Sequence, residues 1–115
     1  MKTDDRDLIL CKLMKKYVSN ILRYTENLKR DELLKDSAIY DACVLNFINL
    51  GESVKSLSDD FKCANQEIPY NSILGLRNIA AHNYEGIEPF RIFLVIQNDL
   101  PVLSDQLSKI IEDAE

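Results

Sequence analysis

The stretch Arg77-Asn78-Ile79-Ala80-Ala81-His82-Asn83-Tyr84 concentrates the residue types that can do chemistry. It holds the only histidine among 115 residues, five positions after an arginine and two before a tyrosine. Arginine is a permanent cation whose planar fork matches phosphate. Imidazole takes or gives a proton near neutral pH. A phenol donates or accepts a hydrogen bond. A fixed cation beside a proton shuttle is what cleavage of an RNA phosphodiester requires. His82 would take the proton of a ribose 2′-hydroxyl, which then attacks the adjacent phosphorus. A second imidazole or water would protonate the leaving 5′-oxygen. Arg77 would stabilise charge on the phosphoryl oxygens. The products would carry a 2′,3′-cyclic phosphate and a 5′-hydroxyl, with no metal required. Asn78 can orient the phosphate or the imidazole, and Tyr84 can hold the phosphate or a base. Chemistry alone leaves blander roles open, because a lone histidine at a helix end is more often a cap, and a tyrosine there can simply pack.

The elements that must position these residues read as helices almost throughout. Ile73, Leu74, Leu76 and Ile79 predict a short helix over about Tyr70–Ala81, with Asn71 or Ser72 as its cap. Asn83 can end it in a left-handed conformation, and Glu85-Gly86 is a turn signal. Pro89 suits the first position of the next helix. That helix extends to about Ile111 on a stripe of Phe93, Ile96, Leu100, Leu103, Leu107 and Ile110, with a kink expected at Pro101. Upstream, Leu8, Cys11, Met14, Val18, Ile21, Leu22 and Leu28 predict a helix over about Asp4–Leu28, capped by Thr3. Tyr40, Cys43, Val44, Phe47, Leu50, Val54 and Leu57 predict another over about Asp31–Leu57. Gly51 lies inside that stripe and signals close helix packing. Ser58-Asp59-Asp60 reads as the exit, and Cys63 to Pro69 as a loop. The expectation is an all-α fold in one domain, residues 1–115. It would be an antiparallel bundle of three long helices plus the short helix that bears the motif. Residues 77 and 82 of one helix stand about 140° apart around its axis. Two motifs meeting across a two-fold axis would converge in one cleft, so a homodimer is expected.

Composition sets the outer limits. Only three glycines and three prolines argue against an all-β chain. Fourteen Lys and Arg against 19 Asp and Glu give a net charge of −5, the wrong sign for a generic nucleic-acid binder. That balance still leaves room for a small basic cleft and for a basic partner that covers it. Cys11, Cys43 and Cys63 form an odd set without a CxxC pair, and one histidine makes a Cys/His zinc site improbable. Reduced, buried thiols are the expectation. The charged N-terminus lacks the apolar run of a secretory signal, and no stretch approaches a membrane span, so a soluble cytoplasmic protein is expected. Lys12, Lys15, Lys16 and Arg23 form a basic patch that reads as a solvated face or as a contact for RNA or a protein partner. Glu52 and Glu85 read as surface or helix-packing residues.

Arg77-x4-His82-x-Tyr84 resembles the Arg-x4-to-6-His signature of the HEPN superfamily, and the extension to tyrosine resembles its HepT-like toxins. Asp41-Ala42, Asn46 and Leu50-Gly51-Glu52 are similar to that family's second-helix pattern. Ile68-Pro69-Tyr70, Ile73 and Leu76-Arg77-Asn78 are similar to its approach to the motif, and the spacing to Pro89 and Leu100-Pro101 also fits. The resemblance implies a four- or five-helix domain dimerising through the motif region. It implies a toxin that cleaves RNA without metal or cofactor, using Arg77 and His82 with support from Asn78 and Tyr84. It implies a cognate antitoxin, a minimal nucleotidyltransferase of the MntA type, that can transfer AMP to Tyr84. The rival expectation is a HEPN-like binding module without nuclease activity that only engages such a partner.

Overall fold

The computed structural model describes residues 3–82 and 89–115, without side-chain placement at Arg30, Leu33, Leu34, Ile79, Ala81, His82, Pro89 and Phe90. Every regular element among the described residues is helical. They are α1 (Asp5–Tyr24), α2 (Arg30–Lys35), α3 (Ser37–Ser56), α4 (Asp59–Ala64), α5 (Tyr70–His82), α6 (Pro89–Leu94), a π-helical turn (Val95–Asp99) and α7 (Leu100–Ala114). The all-α expectation holds, but the number of helices is larger than the four expected. Each extra break has a local cause.

Helix α1 is capped by Asp4, not Thr3: the Asp4 carboxylate accepts from the Arg6 amide at 2.7 Å. Carboxylates at Asp5 and Asp7 and the cation at Arg23 then complement the two ends of the helix dipole. Thr25 ends the helix short of Leu28, its hydroxyl donating to the Ile21 carbonyl at 2.8 Å. Leu28 nevertheless packs against the core.

The long second helix expected over residues 31–57 is two helices. The backbone at Asp36 is extended, and its carboxylate accepts from the Ile39 amide at 3.1 Å. A short carboxylate that caps a new helix competes with continuation of the old one. Ser58 likewise starts an element that the sequence reading ends there. Its hydroxyl accepts from the Phe61 amide at 3.1 Å and caps α4, with Asp59 and Asp60 in the first turn. Part of the expected loop after residue 63 is therefore helix.

Near its end the chain absorbs Pro101 through a wide turn. The Leu100 amide reaches back five residues to the Val95 carbonyl. Proline has no amide to donate to residue 97 and its ring crowds that carbonyl, so a π turn just ahead of it is a known accommodation. The apolar stripe survives the break, with Ile92, Ile96, Leu100, Leu103 and Leu107 all buried.

Buried Cys11, Met14, Val18 and Ile21 of α1 meet Cys43, Val44, Phe47, Leu50 and Val54 of α3 in one core. Polar contacts fix their antiparallel register. Asp7, near the start of α1, accepts from the Ser58 amide at 2.9 Å and from its hydroxyl at 2.6 Å, while Asn20 donates to Asn46 at 3.2 Å. Helix α7 also runs antiparallel to α1, with Lys12 paired to Glu115 at 2.8 Å and Lys15 donating to Ser108. Helix α5 packs on the remaining side of α3, so the bundle runs α7, α1, α3, α5. No helix among the described residues is long and apolar enough to cross a membrane.

Candidate functional site

Helix α5 carries Arg77 and Asn78 and ends on His82. Pro69 precedes it, and its carbonyl accepts from the Ile73 amide at 3.1 Å. The first helical residue is Tyr70, so Asn71 and Ser72 lie inside the helix and do not cap it. Tyr70 pins this start from outside, its hydroxyl donating to the Asn65 carbonyl at 2.8 Å. Burial raises the Tyr70 phenol well above its ordinary range, assisted by Glu67, Cys11 and Asp7. Ile73, Leu76 and Ala80 are buried at helical spacing and seat α5 on α3. That seating fixes where Arg77, one residue beyond Leu76, leaves the helix.

Arg77 crosses α3 directly over Gly51. A Cβ at Gly51 would lie 2.2 Å from the Arg77 Cβ and 2.4 Å from its Cγ, well inside van der Waals contact. The expectation of close packing at this glycine is therefore met, and the neighbour is the motif arginine. Beyond the crossing, Arg77 Nη2 forms an ion pair with Glu52 Oε1. Its Nη1 donates to Asn78 Oδ1 at 3.0 Å. Its Nε is buried and has no hydrogen-bond partner among the described residues. The Arg77 side chain is 17 % exposed and that of Glu52 is 47 % exposed, so the pair lies at the surface with the arginine stem sunk beneath it.

The structure thus joins Arg77 to Asn78 and adds Glu52. His82 is the last residue of α5, displaced from Arg77 by about 7.5 Å along the axis at the usual helical rise. Its ring lies outside the described side chains. Tyr84, Asn83, Glu85 and Gly86 lie outside the described residues altogether. Only part of the signal for Glu52 was present in the sequence: Gly51 implied a close neighbour, and it is the crossing by Arg77 that brings the following side chain within reach.

The remaining candidates separate cleanly. Of the basic patch on α1, Lys12 is paired with Glu115 and Lys15 is bonded to Ser108. Arg23 lies 5.3 Å from the centre of the Tyr24 ring and donates to Asn20 at 3.4 Å. Internal contacts account for three of the four cations without a ligand. Cys11 and Cys43 are buried, and burial pushes both thiols up to about 11, with Asp7 adding to the effect at Cys11. Cys63 departs from the expectation of buried thiols: it is exposed on α4.

Arg77 and His82, the only histidine of the sequence, therefore lie on one helix of an all-helical bundle. The family model described as "HepT-like: Ribonuclease HepT-like" matches residues 14–110. The chain belongs to the HepT-like ribonuclease family. It is 27 % identical over 99 residues to "Putative RNase MJ1216" of Methanocaldococcus jannaschii, covering 86 % of this chain and 82 % of that one. It is 30 % identical over 98 residues to "Putative RNase MJ0127" of the same organism, covering 85 % and 81 %. It is 24 % identical over 90 residues to "Probable ribonuclease HepT" of Thermococcus cleftensis, covering 78 % and 82 %. No solved structure gives a significant match.

Proposed function

We infer that this member of the family is a metal-independent endoribonuclease acting as the toxin of a toxin–antitoxin pair in the cytoplasm. Arg77 binds and stabilises the scissile phosphate, and His82 moves the proton. Asn78 orients the Arg77 guanidinium, to which it is hydrogen-bonded at 3.0 Å. The working unit is a homodimer whose two motifs face one RNA strand. A nucleotidyltransferase antitoxin neutralises it by placing AMP on Tyr84. Each added phosphodiester brings about one negative charge and considerable bulk to the place where the RNA phosphate must enter. The observation that carries this reading is Arg77. In a family of ribonucleases, its stem is held in a glycine notch and its two Nη groups reach the surface, five residues ahead of the lone histidine.

The test is cleavage of RNA by purified protein, with product ends analysed and light scattering alongside. Arg77→Ala and His82→Ala should each cost about 10²–10⁴ in rate while the fold survives. EDTA should leave the wild-type rate unchanged, and the products should end in 2′,3′-cyclic phosphate. Incubation with the cognate nucleotidyltransferase, ATP and Mg²⁺ should add mass to wild type and not to Tyr84→Phe. Wild-type cleavage by His82→Ala, or a mass of one chain at micromolar concentration, overturns the mechanism or the shared cleft respectively.

The net charge of −5 favours one alternative: a binding module of the same fold that engages the nucleotidyltransferase and cuts nothing. In that case the wild type and both variants would be equally inert towards RNA.

A further inference from the structure

The geometry points to Glu52 as the positioning residue for Arg77 and as its counter-ion at rest, which the RNA phosphate must displace. This rests on the phosphate-binding role proposed for Arg77. The observations are geometric. Arginine commonly grips a phosphate through the fork of Nε and one Nη. In Arg77 the Nε edge is buried, so an incoming anion can meet the guanidinium only at its Nη atoms. Nη2 is already held by the Glu52 carboxylate and Nη1 by the Asn78 amide oxygen. The Glu52 oxygen therefore occupies a position that a phosphoryl oxygen would take. Gly51 makes this possible, since any Cβ there would collide with the Arg77 stem.

Two opposing effects follow from one carboxylate. It holds a long side chain in a single arrangement, which favours turnover once RNA is bound. It also competes with RNA for the same cation, which weakens binding. A purely structural residue would show neither opposition. The arrangement also suits an acidic chain, because the guanidinium is neutralised until a stronger, multiply charged anion arrives.

The experiment compares wild type, Glu52→Gln, Arg77→Ala and Glu26→Gln, with thermal melts to confirm folding. Glu26 is an exposed carboxylate beyond α1 and controls for the loss of one bulk negative charge. Binding is read with a short mixed-sequence RNA bearing 2′-O-methyl riboses, which cannot be cut through the 2′-oxygen. Turnover is read with its all-ribose counterpart at saturation. Glu52→Gln should bind the methylated RNA about two- to fivefold more tightly, the scale of a partly exposed charge pair. Its maximal rate should nevertheless fall about ten- to a hundredfold, the scale of a misplaced catalytic group. Arg77→Ala should lose both binding and turnover. If Arg77→Ala fails as expected but Glu52→Gln matches Glu26→Gln in both readings, the role of Glu52 is overturned and that of Arg77 stands. The same holds if Glu52→Gln loses binding and rate together in proportion to unfolded protein. If Arg77→Ala binds and cuts like wild type, the functional reading of Arg77 fails and this inference fails with it.

Discussion

Replacing Gly51 by alanine should destabilise the bundle, although alanine is the better helix former. The new Cβ would sit 2.2 Å from the Arg77 Cβ, where an ordinary contact begins at 3.4 Å. The Arg77 Cβ is fixed by its backbone and cannot rotate away. Helix α5 must therefore move off α3 by roughly 1 Å, and a gap of that size forfeits a quarter to a half of each contact's attraction. Leu50, Val54, Ile73 and Leu76 are the buried residues along this seam. Overpacking of this kind costs about 1–3 kcal/mol. The gain in helix propensity returns about 1 kcal/mol. A net loss of up to about 2 kcal/mol lowers Tm by up to roughly 10 °C in a chain of this size. Gly75 supplies the matched control: it lies in α5, and a Cβ there meets nothing within 4 Å. Gly75→Ala should raise Tm by a few degrees, at up to about 1 kcal/mol. Thermal and urea unfolding followed by circular dichroism reads both. A Gly51→Ala protein as stable as Gly75→Ala would refute the close crossing of α3 by α5, and with it the stated path of the Arg77 side chain.

Two further predictions concern groups far from Arg77. Asp7→Ala should lower the urea midpoint by an amount equivalent to about 1 kcal/mol, because it strips the Ser58 amide and hydroxyl of their acceptor in a partly buried setting; an unchanged midpoint would show that water replaces the carboxylate. At pH 8 iodoacetamide should modify exposed Cys63 rapidly and leave Cys11 and Cys43 intact, since a thiol with its pKa near 11 is only about 10⁻³ ionised there. The unfolded chain ionises these thiols first, so their contribution to stability is complete below about pH 8.5 and is lost as pH rises from there through 11. Fast loss of all three thiols, or melting temperatures flat across that range, would contradict the burial of Cys11 and Cys43.

The parts of the fold legible in the sequence are those written as apolar periodicity. Cys11, Met14, Val18 and Ile21, then Cys43, Phe47, Leu50 and Val54, were readable as two faces, and both are buried. What was misread is written in single polar side chains whose role depends on which amide they reach. Asp36 looks like one more charged residue on a helix until its carboxylate is seen to accept from Ile39, which divides the helix. Ser58 looks like an exit until its hydroxyl caps α4 while its own amide serves Asp7, a residue 51 positions away. Periodicity continues through such breaks because burial constrains the apolar face and caps act on the backbone.

The candidate site shows the same division more sharply. Arg77 and His82 stand out by type and spacing, yet spacing says nothing about what holds a guanidinium in place. Gly51 carried half of that information, as a helix residue whose cost in propensity needs a compensating contact. Its partner could not be named from one chain read alone, because the crossing of α3 by α5 is a tertiary fact. Once that crossing is known, Glu52 follows: the residue after the notch lies within reach of the side chain that passes through it. The acidity that argues against a nucleic-acid enzyme then has a local counterpart. One of the 19 carboxylates is spent on the motif arginine itself, so at rest the motif cation is paired with an acid of the chain. Net charge measures the chain's average surface and is blind to such pairings. On the phosphate-binding role proposed for Arg77, an RNA phosphate that displaces this carboxylate would meet a cation whose stem is already ordered, and the acidity of the chain would be no obstacle to it.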